Sequence, residues 1–502
     1  MELRLKQSVV DCCLPVFSQT IRKEESQDAV VPDTMPDIGA IVSTAGNVLI
    51  RSKDVGDGRV RLEANVPAKV TYEAEEGGAL SCMDVNIPLY VSFEDENITS
   101  QGLCCADIDL VALDTKVLNP RKICVRAEAA FHMDCYVPSQ MTFSAAPEEA
   151  AEGINLRERQ IETSAVCAVT EKSFVLTDEF AVPDAMPPMS VILRQQTLPQ
   201  VEDVQTVGSK LVVKGSVRSS LLYLSGEAQV GAVEFSTAFS QVVEADALPE
   251  DPHIAADVLL SGAYYDITGE GRTGEMEAHL VIQATVSGSR KEASISDAYS
   301  NRYPLETEVK PVRAECIASE LTLRETLREQ LPTVQPPTEI LQGSFDLGAA
   351  QVDDGTVLLP VTVCACYRCA DGRLQTAKRT WQVRFCHALS EGESLSVAGV
   401  CAQELYLSPS AEGIDVRLPL EVRAFLLHAE TVDCVTAIRC DDAATLDLSE
   451  EPTLVILRAD SGDDLWEIAK ANHSTVRAIA EANGLDAAAG NWEKLILIPK
   501  TV

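Results

Sequence analysis

The chain has 502 residues, 46% hydrophobic and 24% charged, which is apolar enough to bury several cores and too apolar for a disordered chain. Its formal net charge of −36 argues against phosphate backbones and anionic lipid surfaces as partners, because either requires clustered Lys and Arg to displace counterions. At this length, about three or four domains are expected.

The first residues, "MELRLKQSVVDCCLPVFSQ", lack the uninterrupted apolar run of a signal peptide, and no stretch is long and apolar enough for a membrane-spanning helix. A cytoplasmic location without membrane insertion is therefore expected. Sixteen cysteines are scattered along the chain, with adjacent pairs at Cys12-Cys13 and Cys104-Cys105. Without an export signal, this usage predicts free, buried thiols in a reducing compartment.

Self-similarity organises most of the chain. "VPDTMPDI" begins at Val31 and "VPDAMPPM" at Val182, and a weaker copy, "LPTVQPPTEIL", begins at Leu331, so the motif returns about every 150 residues. After each copy come alternating segments broken by a Gly-containing turn. In the first, Val60, Leu62, Ala64, Val66, Ala68, Val70 and Tyr72 occupy every second position, the period of a strand with one buried face. Further alternating segments begin at Lys122, Met276 and Gly413. Short strands with polar turns must cover one apolar face with another. The expected fold is thus mainly β: three tandem antiparallel β-sandwich-like repeats over 1–150, 158–298 and 310–442, then a small C-terminal βααβ domain over 453–500. Linkers are expected near 146–158, 289–308 and 441–452.

The Pro-rich motif has two readings. Proline fixes φ and lacks a donor, so the motif would form an extended, rigid lead-in that packs Met35 or Met186 against its sandwich. Alternatively, it would present a sheet edge on which a partner strand docks.

From Thr453 the periodicity changes. "TLVILRA" reads as a strand. Asp463 or Asp464 would cap a helix with Leu465, Ile468 and Ala469 on one face. Ser474 would cap a second helix with Val476, Ile479 and Ala480 inward, which Asn483-Gly484 stops in αL, and "KLILIP" closes as a strand. This stretch resembles the LysM domain: Gly462, Asp463, Leu465, Trp466, Ile468, Ala469, Asn483, Leu485, Leu495, Ile498 and Pro499 stand at that family's positions. The resemblance implies a shallow groove between the loop before the first helix and the loop before the last strand. Its first wall would be residues 461–465 and its second 485–492, and Trp466 would belong to the core. The second wall departs from the family pattern, with Asn491-Trp492-Glu493 where Pro-Gly-Gln is usual. Replacing that glycine with Trp492 fills space in which a sugar would approach the backbone, while an indole at a rim suits a protein interface. Asp463, Asp464, Leu465, Leu485, Asn491 and Trp492 are the expected partner-binding residues. Protein, glycan and a purely structural cap all remain as uses of the groove.

Repeated β-modules with a VPD-x-MP motif followed by one LysM domain resemble the SipL-like spore-coat morphogenesis proteins, whose repeated part is the SPOCS domain. The third copy lacks Val-Pro-Asp. The resemblance implies a non-enzymatic adaptor in the mother-cell cytoplasm at the forespore surface, whose LysM end contacts the coat's basement-layer morphogenetic ATPase. The rivals are a wall-glycan binder and a cell-wall hydrolase with an unrecognised site. Cys364, Cys366 and Cys369 have thiolate-ligand spacing, but Cys364 and Cys366 alternate along a strand and read as buried thiols, so no metal is expected. None of the six His residues lies in a recognisable nucleophile or metal motif, and no phosphate-binding Gly-rich loop occurs, so neither an enzyme nor a cofactor is expected.

Overall fold

A computed structural model of the chain describes residues 2–147, 153–245, 248–441, 444–448, 452–460, 463–485 and 494–500. The chain begins with β1 (Glu2–Leu3), the long β2 (Leu5–Val30), a run of shorter strands β3 (Ile38–Gly46), β4 (Leu49–Gly56), β5 (Arg59–Ala74) and β6 (Leu80–Glu94), and the hairpin β7 (Leu103–Asn119) and β8 (Lys122–Pro147). A second long strand, β9 (Ile154–Ala181), leads to β10 (Val191–Val207), β11 (Lys210–Leu224) and β12 (Val230–Glu244), then the hairpin β13 (Pro252–Thr268) and β14 (Thr273–Ser300). The third long strand, β15 (Leu305–Pro332), precedes β16 (Pro337–Leu347), β17 (Gln351–Asp353), β18 (Thr356–Cys369) and β19 (Leu374–Cys386), followed by β20 (Glu393–Ala402), β21 (Tyr406–Ser410) and β22 (Gly413–Cys440). The C-terminal segment contains β23 (Leu454–Ala459), α1 (Leu465–Ala471), α2 (Val476–Asn483) and β24 (Lys494–Pro499).

All strand pairing among the described residues is antiparallel, as the alternation predicts. Every second residue of β5 from Val60 to Tyr72 is buried, and the inward side chains of β5 and β6 meet those of β7 and β8 in one core. Comparable cores lie between the β10–β12 sheet and β13–β14, and between β18–β19 and β22. The long strands carry these sheets beyond their own cores. β2 and β9 meet edge to edge through Cys13 and Val166, which joins six strands in the order β13-β14-β9-β2-β8-β7.

Amide side chains knit the blocks together. Gln283 on β14 accepts from Ala106 N and donates to Ala106 O, both at 2.9 Å. Asn47 donates to Thr197 O at 2.8 Å and accepts from Thr197 N at 3.1 Å. Gln196 donates to Phe345 O at 3.0 Å. Each satisfies backbone groups that a buried junction would otherwise strand.

The expected linker at 289–308 is instead strand up to Ser300 and again from Leu305, leaving a turn of residues 301–304. Its polar composition reflects an interface, described below. Strand also occupies 146–147 and 154–158 of the first expected linker, while 441–452 holds no strand or helix among its described residues. The first two Pro-rich motifs are tight turns, because Met35 N bonds Pro32 O at 2.9 Å and Met186 N bonds Pro183 O at 2.8 Å. Met35 packs on its core, but Met186 is 42% exposed. An arginine outside each of these two motifs holds the turn: the Arg121 guanidinium donates to Val31 O, Pro32 O and Met35 O, and Arg272 donates to Met186 O. Tyr72 and Tyr223 hydroxyls donate to Pro36 O and Pro187 O. Cys364, Cys366 and Cys369 are buried on β18, and no group of His, Cys, Asp or Glu among the described residues is arranged to hold a metal. Likewise, no described helix is long and apolar enough to cross a membrane.

Candidate functional site

The C-terminal segment folds as β-α-α-β, with β23 and β24 paired antiparallel. Asp464 is the N-cap of α1, accepting from Trp466 N at 2.9 Å. Thr475 rather than Ser474 caps α2, accepting from Ala478 N at 3.0 Å. Ser474 is instead fully buried, and its hydroxyl donates to Pro499 O. Gly484 takes the αL conformation that ends α2, with φ 61°. Asn483 binds β24 to α2 through both faces of its amide: Nδ2 donates to Leu497 O at 2.6 Å and to Ile479 O at 2.8 Å, and Oδ1 accepts from Leu497 N at 2.7 Å. Leu465, Ala469, Ile479, Ile496 and Ile498 form the core, and Tyr299 from β14 completes it.

Tyr299 marks a docking surface on the β body. A register shift in the β14–β9 ladder between Ile295 and Asp297 re-aims the side chains there, and Asp297 lies directly opposite Arg157 of β9. Both reach the same helix. Asp297 accepts from Trp466 Nε1 at 2.7 Å and from Lys470 Nζ at 2.7 and 2.9 Å. Arg157 donates to Asp464 at 2.6 Å. The Tyr299 ring meets the indole of Trp466 edge-on, with centroids 4.8 Å apart at 73°, and its hydroxyl donates to Ser474 O at 3.0 Å. Burial alone would raise the Asp297 pKa, but hydrogen bonds from Lys470 and Trp466 outweigh it and hold the carboxyl below its ordinary value. Burial, aided by the Asp297 charge, pushes the Tyr299 phenol up to about 12. The turn after β14 adds a further tie, with Leu446 N donating to Arg302 O at 2.9 Å.

The residues expected to bind a partner are placed differently from one another. Asp463 is exposed, and its carboxylate accepts from Asp460 N at 2.9 Å. Asp464 both caps α1 and pairs with Arg157. Leu465 is a core residue, 5% exposed, so it offers no contact surface, because its position at the start of α1 points inward. Leu485 is half-buried against the same core. Asn491 and Trp492 lie outside the described residues, as do 461, 462 and the rest of the second wall. Trp466 does pack with the core, but its indole nitrogen belongs to the docking surface. Sequence reading missed Arg157, Asp297 and Tyr299, which sit in strands whose local pattern names no partner.

The helical side of the module faces the β body, and no described element packs on the outer face of β23–β24. Leu454, Ile456, Leu495 and Leu497 on that face are 52%, 62%, 67% and 38% exposed, with Arg458 opposite Leu495.

These features define an antiparallel all-β protein with a small helical module docked at its C-terminal end. Residues 460–489 match the LysM domain, a module that points to binding of glycan or peptidoglycan. No curated protein and no solved structure gives a match to the chain.

Proposed function

We propose that this protein is a non-enzymatic adaptor of spore-coat assembly. In this reading it works in the mother-cell cytoplasm at the forespore surface, its three β units span 1–150, 158–298 and 310–442, and its LysM domain binds the coat's basement-layer morphogenetic ATPase. The domain order and the VPD-x-MP motifs, which resemble SipL-like proteins, support the biological setting. The observation that carries a protein partner is the open aliphatic face of β23–β24. Four exposed aliphatic side chains on one small sheet suit a protein surface, whereas a sugar demands polar contacts. Docking of α1 on Asp297 would transmit any load on that face to the β body. Glycan binding is the second reading, favoured by the LysM match itself.

The test is affinity capture by the full chain from a sporulating lysate, beside retention on purified peptidoglycan and chitin. The adaptor reading expects one ATPase to be captured by the native chain and lost with Ile456→Asp or Trp492→Gly, and no saturable retention on either glycan. Saturable glycan binding without a captured ATPase would replace it with the second reading.

A further inference from the structure

Cys104 and Cys135 stand directly opposite each other in the β7–β8 ladder. Among the described strand pairings, no other two cysteines are direct partners. Opposed residues of an antiparallel pair have Cα atoms about 4.5 or 5.5 Å apart, and both spacings lie within the span that a disulfide bridges. The side chains share the same face. Both are buried, at 6% and 1% exposure, and their sulfurs are 2.8 Å apart, about 0.8 Å longer than a covalent S–S bond. Lys53 places its ammonium at Cys104 O and pairs with Glu171.

We propose that Cys104 and Cys135 are a redox-active dithiol that closes to a cross-strand disulfide by exchange with a small-molecule disulfide. The Cys104 thiolate attacks one sulfur of the oxidant RSSR, expelling RS⁻ and leaving a mixed disulfide on Cys104. Cys135, losing its proton to solvent, attacks the Cys104 sulfur and expels the second RS⁻. The two protein thiols are oxidised by two electrons, and RSSR is reduced to two thiols. The roles follow from the surroundings: the hydrogen bond between the two thiols, helped by the Lys53 charge, lowers the Cys104 pKa against the opposing effect of burial. The same hydrogen bond, together with burial, raises that of Cys135. Ala106, two residues beyond Cys104, carries both hydrogen bonds to Gln283 on β14. A closed disulfide therefore pins β7 beside the junction of the β7–β8 hairpin with β14.

The experiment treats the folded full-length protein with oxidised glutathione, blocks remaining thiols after unfolding, and maps peptides without reduction. The expected product links Cys104 to Cys135, is lighter by two hydrogens and reverts with dithiothreitol. It should form equally in Cys105→Ser. Oxidised native protein should melt several degrees above the reduced form, and Cys135→Ser should show no such gain. Cys386, which is exposed, reports that the oxidant is active. If Cys386 is glutathionylated while Cys104 and Cys135 remain fully alkylatable, or if Cys135 pairs with Cys105, the proposal is overturned.

Discussion

Arg157 and Asp297 face each other across β9 and β14, yet each directs its charge to α1: Arg157 to Asp464, and Asp297 to Lys470 and the Trp466 indole. Two neighbouring strand residues of opposite sign thus grip one helix at its N-cap and on its second turn.

The indole hydrogen bond separates from the ring contact by substitution. Trp466→Phe keeps an aromatic face for Tyr299 but removes the donor to Asp297, and a hydrogen bond to a charged acceptor is worth about 1.5–3 kcal/mol. Trp466→Ala loses the packing too and should cost about 3–5 kcal/mol. Urea unfolding followed by hydrogen exchange in α1 should show this order, and a Trp466→Phe variant as stable as the native chain would mean that the N–H contributes nothing.

The Arg157–Asp464 pair is half-exposed on both sides, where ion pairs contribute about 0–1 kcal/mol. Arg157→Ala should therefore loosen docking only slightly, whereas Asp297→Ala, which strands the part-buried indole N–H of Trp466, should loosen it clearly. Limited proteolysis between Asp441 and Thr453 measures docking directly, and cleavage should accelerate more in Asp297→Ala than in Arg157→Ala.

Docking should weaken in acid. The Asp297 carboxyl titrates below its ordinary value in the folded state, so its contribution is complete above the unfolded carboxylate pKa and is lost as pH falls through the folded one. Native protein and Asp297→Asn should differ in proteolytic resistance at neutral pH and converge on acidification. A difference that persists unchanged at low pH would remove the charge of Asp297 from the account.

Asn483 replaces two ladder partners that β24 lacks on its free side. Asn483→Ala should cost about 1–3 kcal/mol through the stranded amide and carbonyl of Leu497. Faster exchange of the Leu497 amide, with the β body unchanged in near-ultraviolet circular dichroism, is the expected signature.

Much was legible in the chain alone. Strict alternation in β5 determined a one-faced strand, since a residue at every second position must meet the same side of a sheet, and the antiparallel all-β class followed. A cap at Asp463 or Asp464, the αL stop at Gly484 and the inward Leu465, Ala469 and Ile479 were set by local backbone chemistry, which is why the LysM domain was readable; the structure chose Asp464. What only the tertiary structure decided involves partners far apart in sequence. Residues 289–300 read as a linker because a strand packed against a module on one side and another strand on the other loses simple period two. Its Asp297 meets Trp466 across 169 positions. Arg121 and Arg272 likewise clamp turns that their own neighbourhoods do not mention. Local sequence fixes which face of an element is apolar, but the satisfaction of a buried charge or indole depends on which distant surface the folded chain brings to it.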